Sequence, residues 1–479
     1  MQRILDFLTE TGIAPFIDKV AGNFWNPYTI SLLIGTGIIL TIATKFIQIR
    51  KFTLGWKFVK MGALRKDESA KEKGDISPFQ ALMTSLAATV GNGNIAGVAT
   101  AVVYGGPGAI FWMWVTAIVG MATKYSEAIL AVNYRKVAED GSMSGGPMYY
   151  IRRGFGAMPY LKHIAPYLAG IFAFCGAFAT LFGTGNMMQA NSMALAFNQE
   201  LHIPFLVTGI AIAFLAGLVI IGGIKRIGKT AELLVPGMII LYFFCGILII
   251  LLNITKLPGV FAMIFQYAFT PQAAMGGFAG HAVKMAIQFG VRRGLLSNES
   301  GLGSTPIAHA ASKAKNPVRQ GIIAMFDTFI DTIVVCSVTG LIILITGAYL
   351  PENNPAGVQL NSTALTAHAF NTTLPWIGGK IVALSSALFG YSTIIGWYYY
   401  GERCFEYLFG LKQIKYYKIV YITLTFCGSV LQKDLLTVVW NVGDIANSLM
   451  AAPNLVGLIA LSGVVYKITK EYVEGNKIE

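Results

Sequence analysis

What most limits this chain is its eleven stretches of about twenty apolar residues, the length a helix needs to cross a hydrocarbon layer. They run over Pro27–Ile49, Ser77–Tyr104, Pro107–Asn133, Pro166–Asn198, Ile203–Ile224, Lys229–Asn253, His281–Ser312, Arg319–Tyr349, Trp376–Glu406, Lys415–Leu431 and Leu435–Tyr466. Only 12% of the 479 residues are charged and mean hydropathy is +0.61, where soluble domains average about 25% charged. The expected class is an all-α polytopic membrane protein with the lipid bilayer as its solvent. Ahead of the first stretch, Asp6, Glu10 and Asp18 interrupt what would otherwise resemble a cleavable signal. Residues 1–26 are expected as an extracytoplasmic amphipathic segment at the membrane surface.

Two of the stretches are broken at mid-depth. Ala87 to Thr100 reads AATVGNGNIAGVAT, with two glycines alternating with asparagines, and Gly290 to Ser304 reads GVRRGLLSNESGLGS. Unwound backbone inside a bilayer is tolerated only where it is buried in protein or lines a polar cavity. Paired interruptions in corresponding places of the two halves point to the binding site of a secondary transporter. Small residues also permit close helix packing; a GxxxG would suit that use better than GNGN with a matching partner.

Loop charge sets the orientation, because Lys and Arg are retained in the cytoplasm. With the N-terminus outside, the inward loops and tail hold 26 Lys and Arg, whereas the outward segments show Arg3, Lys19, Lys256 and Lys433. This predicts an inner (plasma) membrane protein with its N-terminus out and its C-terminus in the cytoplasm. The net charge of +13 is spread over these short loops, so nucleic acid is not an expected partner. In this topology the two broken stretches enter from opposite sides, and each is the first of five. The organisation expected is therefore 76–254 as one five-helix repeat, 281–470 as an inverted second, and 27–49 as an extra helix. Ends of interrupted helices offer N–H groups to a carboxylate and carbonyls to Na+ or an ammonium group. An amino acid zwitterion presents both charges.

The segments TVGNGNIAG (Thr89–Gly97), GGPGAIFWMW (Gly105–Trp114), KYSEA (Lys124–Ala128), SGGPMYYI (Ser144–Ile151), RRGLLSNESGLGSTPIAHAA (Arg292–Ala311) and WNVGDIANSLM (Trp440–Met450) resemble the alanine or glycine:cation symporters. These belong to the amino acid, polyamine and organocation superfamily. The resemblance implies a leucine-transporter-like fold, alanine or glycine as substrate, and Na+, or in some members H+, as the co-transported ion. No organic cofactor is implied, and the sequence sets no oligomeric state. By the same resemblance, the backbone N–H groups of Asn92 and Gly93 would take the substrate carboxylate, and the Asn94 side-chain oxygen would serve an ion. A second ion site would use the carbonyls of Ala87 and Val90 with the hydroxyls of Ser392 and Thr393. Members often carry Thr where this chain has Asn92. Ser and Thr in membrane helices also bond back to the preceding turn, which is the other use open to those hydroxyls.

Bulky neighbours are expected to size the pocket: Phe289 and Gly290 at the second break, Trp397 one turn beyond Thr393, and Phe178 in a stripe with Phe174 and Phe182. Such a stripe also suits packing or lipid contact. Charges within the spans, namely Lys124, Glu127, Arg292, Arg293, Glu299, Asp327 and Asp331, are expected to form structural pairs or an inner gate, since each is costly at the bilayer centre. Asp444 lies midway into the last span. The five histidines are dispersed with no HExxH or GxSxG, so an enzyme has no constellation to rest on. The five cysteines show no pairing or metal spacing. A channel built on a ring of identical filter loops does not suit a single chain of pseudo-repeats.

Overall fold

The computed structural model describes residues 11–24, 26–64, 74–183, 185–270, 279–314, 316–355, 359–431 and 433–475. In chain order its main helices are α1 (Ile13–Phe24), α2 (Pro27–Ala43), α3 (Phe52–Ala63), α4 (Pro78–Thr89), α5 (Val98–Gly105), α6 (Gly108–Asn133), α7 (Ala165–Phe182), α8 (Met187–Leu201), α9 (Phe205–Ile220) and α10 (Gly223–Leu252). There follow α11 (Leu257–Phe269), α12 (Ala279–Asn298), α13 (Pro306–Ala310), α14 (Pro317–Thr328), α15 (Ser337–Thr346), α16 (Ser362–Thr373), α17 (Gly378–Phe409), α18 (Ile414–Val430), α19 (Lys433–Ala460) and α20 (Ser462–Glu474). By length and composition, the described residues hold six helices able to cross a membrane, or seven when the bent pair Pro78–Thr89 and Gly93–Gly105 counts as one span. The other expected spans are shorter, as α2 and α9 are, or carry charge, as α12 does with Arg292 and Arg293.

The first interruption is built locally. Ser77 and Gln80 form a reciprocal capping box that starts α4, with Pro78 in the first turn. The helix stops at Val90, whose ψ of 89° turns the chain out of the ladder. The Gly91 N–H is then accepted by Asn94 Oδ1 at 2.9 Å. A π-turn, Gly93–Gly97, leads into α5, and the two halves meet at 52°. Gly91 has no room for a side chain: a Cβ there would lie 2.5 Å from Thr393 Oγ1. Thr366 Oγ1 of α16 donates to the Ile95 carbonyl at 3.0 Å, tying the irregular turn to that helix.

The second interruption is shorter than expected. α12 runs unbroken to Asn298, and the chain leaves the helix over 299–305, where Glu299, Gly301 and Gly303 have φ of 56°, 87° and 82°. Gly290 and Gly294 lie inside α12 because they are the seam against α6: a Cβ would stand 2.4 Å from the Ala109 carbonyl in one case and 2.4 Å from Thr116 Oγ1 in the other. The expected fourth span is divided into α7 and α8. Gly185 at the division passes Trp397, whose Cγ a Cβ would approach to 2.4 Å. Asn186 there donates to the Tyr421 carbonyl at 3.1 Å and accepts from Thr425 Oγ1 at 2.7 Å, both on α18.

α6 is the central post, packed on α12 and α14, while α7 packs on α17 and α19. α14 and α15 are joined by a π-helical stretch, Phe329–Cys336. A short hairpin follows α6, pairing Lys136 with Ser144. The chain ahead of α4 pairs in parallel with the chain after α13: Asp75 and Ile76 N–H donate to the Ala311 carbonyl at 2.8 and 3.2 Å, and Lys313 N–H donates to the Ile76 carbonyl at 2.8 Å. The amphipathic α1 lies along α19, where Asn441 Nδ2 donates to Asp18 Oδ1 at 3.0 Å.

Candidate functional site

Both interruptions open on one cavity of about 260 Å³, with Gly91, Asn92 and Gly93 on one wall and Ser297 and Glu299 on another. That volume lies below the range of about 300–1,000 Å³ typical of sites for drug-sized ligands. α8 contributes Gln189, α17 contributes Thr393 and Trp397, and Arg292, Arg293 and Asp444 complete the lining. Trp397 is held by donating from Nε1 to Glu299 Oε1 at 2.8 Å. Arg292 pairs with Asp444 at 3.3 Å.

The asparagine pair has two different jobs. Gln189 Oε1 accepts from the Asn92 N–H at 3.2 Å and from Asn92 Nδ2 at 3.0 Å, while Ser386 Oγ donates to Asn92 Oδ1 at 2.6 Å. The Asn92 N–H expected for a substrate carboxylate is thus already taken by a side chain, because an unwound turn must satisfy its donors internally. Asn94 does not line the cavity. It is fully buried, its Oδ1 accepts the Gly91 N–H, and its Nδ2 donates to the carbonyl and Oδ1 of Asp331 at 3.1 and 2.7 Å. Asp331 also accepts from Ser297 Oγ at 2.9 Å and Thr332 Oγ1 at 2.7 Å. It joins the first interruption, the end of α12 and the π-stretch.

Beside the cavity, the expected ion ligands Val90 and Ser392 come within reach of each other, with Thr393 next to Ser392. With Gly91 N–H diverted to Asn94, the Ala87 carbonyl leaves the helical ladder, and Val90 ends it. Ser392 Oγ lies 3.4 Å from the Val90 carbonyl. Ser392 and Thr393 hydroxyls also both donate to the Phe389 carbonyl, at 2.8 and 2.9 Å. This back-bonding is the other use open to them, and it adds Phe389 to the oxygens gathered here.

Three expected pocket residues stand elsewhere. Phe178 is 38% exposed and stacks between Phe174 and Phe182 on the outward face of α7, where an aromatic stripe meets surroundings rather than a cavity. Phe289 stacks on Tyr104 with centroids 5.3 Å apart and does not line the cavity. Gly290 belongs to the seam with α6. The charges Lys124 and Asp327 pair at 2.8 Å; Lys124 also donates to Thr305 Oγ1 at 2.7 Å, and Asp327 accepts from Ser85 and Thr89. That pair ties α4, α6, α14 and the start of α13. Glu127 accepts from Asn454 Nδ2 at 2.7 Å. Gln189 and Ser386 were missed in the sequence. Gln189 was legible as one of several polar side chains, with Asn186, Asn191 and Ser192, inside an expected span.

Among the described residues, no three His, Cys, Asp or Glu side chains converge as a metal-holding group. Long apolar helices packed round a small polar cavity define a multi-pass membrane protein. The family model for sodium:alanine symporters matches residues 10–479, and this chain belongs to that transporter family. Sodium/alanine symporter AgcS of Methanococcus maripaludis is 47% identical over 464 residues, covering 97% of this chain and 98% of that protein. The probable sodium/glutamine symporter GlnT of Bacillus subtilis is 36% identical over 480 residues, covering 100% of this chain and 92% of that one. A manganese transporter of Eremococcus coleocola superposes with a TM-score of 0.48 at 14% identity, over 84% of this chain and 83% of that chain. A likeness that distant carries no argument about cargo.

Proposed function

We propose that this chain imports a small neutral amino acid, alanine or glycine, together with Na+, by alternating access between two inverted five-helix repeats. The observation that carries the reading is the meeting of both interrupted segments on one cavity of about 260 Å³. Family membership and the 47% identity to a sodium/alanine symporter support alanine and Na+. The Na+ is assigned to the oxygens of Ala87, Val90, Phe389, Ser392 and Thr393, hard ligands of the kind hard cations take. The N-terminus is assigned to the outside and the C-terminus to the cytoplasm on loop charge.

Proteoliposomes with imposed Na+ or H+ gradients and labelled alanine, glycine, serine, glutamine and leucine test all of this together. Accumulation of alanine or glycine driven by an inward Na+ gradient, with leucine left out, is the expected result. Equal accumulation with and without that gradient refutes Na+ coupling, and accumulation driven only by H+ replaces it. Current without a gradient requirement would make the protein a channel.

A further inference from the structure

Two charged side chains reach the cavity without an opposite charge at salt-bridge distance among the described residues. The first is Arg293. It lines the cavity beside Gly97, where a Cβ would lie 3.8 Å from Arg293 Cδ, and its Nε is buried without a hydrogen-bond partner. The acid on that wall, Asp444, is paired with Arg292. The second is Glu299, which also lines the cavity. Its carboxylate accepts from Trp397 Nε1 and Ser304 Oγ, both neutral donors. Ionisable groups inside a membrane protein are expensive and mark function.

The two do not neutralise each other. No salt bridge joins them among the described residues: Arg293 lies in α12 and Glu299 just past its end, their backbones roughly 9 Å apart along the axis at about 1.5 Å per residue. An α-amino acid carries its ammonium nitrogen and carboxylate oxygen about 3 Å apart. Each end can take one charge-assisted hydrogen bond of about 2.8 Å. At the first interruption the Asn92 N–H is already accepted by Gln189.

We propose that the substrate is gripped by two side-chain charges, its carboxylate by Arg293 and its ammonium group by Glu299. This rests on the amino acid reading above and deepens it: the cavity selects a ligand with both charges on one carbon. It binds amines and simple carboxylic acids of the same size more weakly, since each would leave one protein charge unmet. A ligand with a second charged group is excluded for the opposite reason, since no third unpaired charge lines the cavity.

The test uses purified full-length protein with ligand-induced thermal stabilisation at graded concentrations of alanine, alaninamide and propionate. Arg293→Gln should weaken alanine by at least about thirtyfold, the scale on which a buried charge loses its partner. It should leave alaninamide, which has no carboxylate, unchanged. Glu299→Gln should weaken alanine on the same scale and leave propionate unchanged. Arg293→Lys should recover part of the alanine affinity. If Arg293→Gln weakens alanine and alaninamide by the same factor, Arg293 is structural and the proposal fails. It fails equally if either Gln variant binds alanine as the unmodified protein does. An unmodified protein that binds no amino acid overturns the transport reading as well, whereas one that binds alanine with both variants unaffected overturns only this assignment.

Discussion

Removing one member of the Lys124–Asp327 pair should unbalance the core in a way that removing both does not. Lys124 is 1% exposed and Asp327 is 0% exposed, and their charged atoms are 2.8 Å apart. In Lys124→Met the Asp327 carboxylate keeps its hydroxyl donors, Ser85 and Thr89, but loses its cation. In Asp327→Asn the ammonium group keeps Thr305 Oγ1 but loses its anion. An uncompensated buried charge costs about 3–5 kcal/mol, whereas replacing a buried pair by neutral groups is often near neutral. The double variant Lys124→Met/Asp327→Asn should therefore lose less stability than either single variant. Unfolding of purified protein by SDS in mixed micelles, read for the four proteins as a double-mutant cycle, gives the coupling directly. Losses that simply add in the double variant would refute the claim that the pair balances itself, and with it the role given to the pair in tying α4 to the start of α13.

Thr393→Ala should raise the Na+ needed for half-maximal uptake by about tenfold, the equivalent of one polar contact of roughly 1.4 kcal/mol. Unchanged Na+ dependence in Ser392→Ala/Thr393→Ala would move the ion site elsewhere. Gln189→Ala should release the Asn92 N–H and amide and lower substrate affinity while the protein stays monodisperse in gel filtration; wild-type binding would return Gln189 to packing. Gly290→Leu should destabilise by about 1–3 kcal/mol through overpacking against α6. Phe178→Ala, on the outward face, should leave uptake kinetics as they were, and a changed preference among substrates would place Phe178 back in the pocket.

The first interruption was legible because glycines alternating with amides inside an apolar run have few other uses. The second was shifted by several residues, because the sequence does not say whether a glycine bends a helix or lets a neighbour close in. Gly290 and Gly294 do the latter, and only the partner surface at Ala109 and Thr116 reveals it. The hydroxyls of Ser392 and Thr393 were legible as a polar pair in an apolar run, but the Phe389 carbonyl was not, since a main-chain oxygen has no sequence signal. Interior charges were legible as needing partners. Which partners they take depends on contacts across the fold: Lys124 meets Asp327 from 203 positions away, and Asn94 meets Asp331 from 237. The aromatic stripe on α7 misled because helical spacing shows that residues share a face without saying what that face meets.

The parallel bridge between Ile76 and Ser312 limits how the protein can move. It joins the approach to one interrupted helix to the departure from the other by three main-chain hydrogen bonds, each worth about 0.5–1.5 kcal/mol net. A swing of α4 alone must break this ladder and leave its donors to find water. A rotation that carries α4 and α13 together leaves it closed. The lowest-cost motion at that end is then rotation of a single rigid unit made of segments far apart in the chain, with the pivot displaced toward the interruptions, where Val90 and Glu299 have already given up helical geometry.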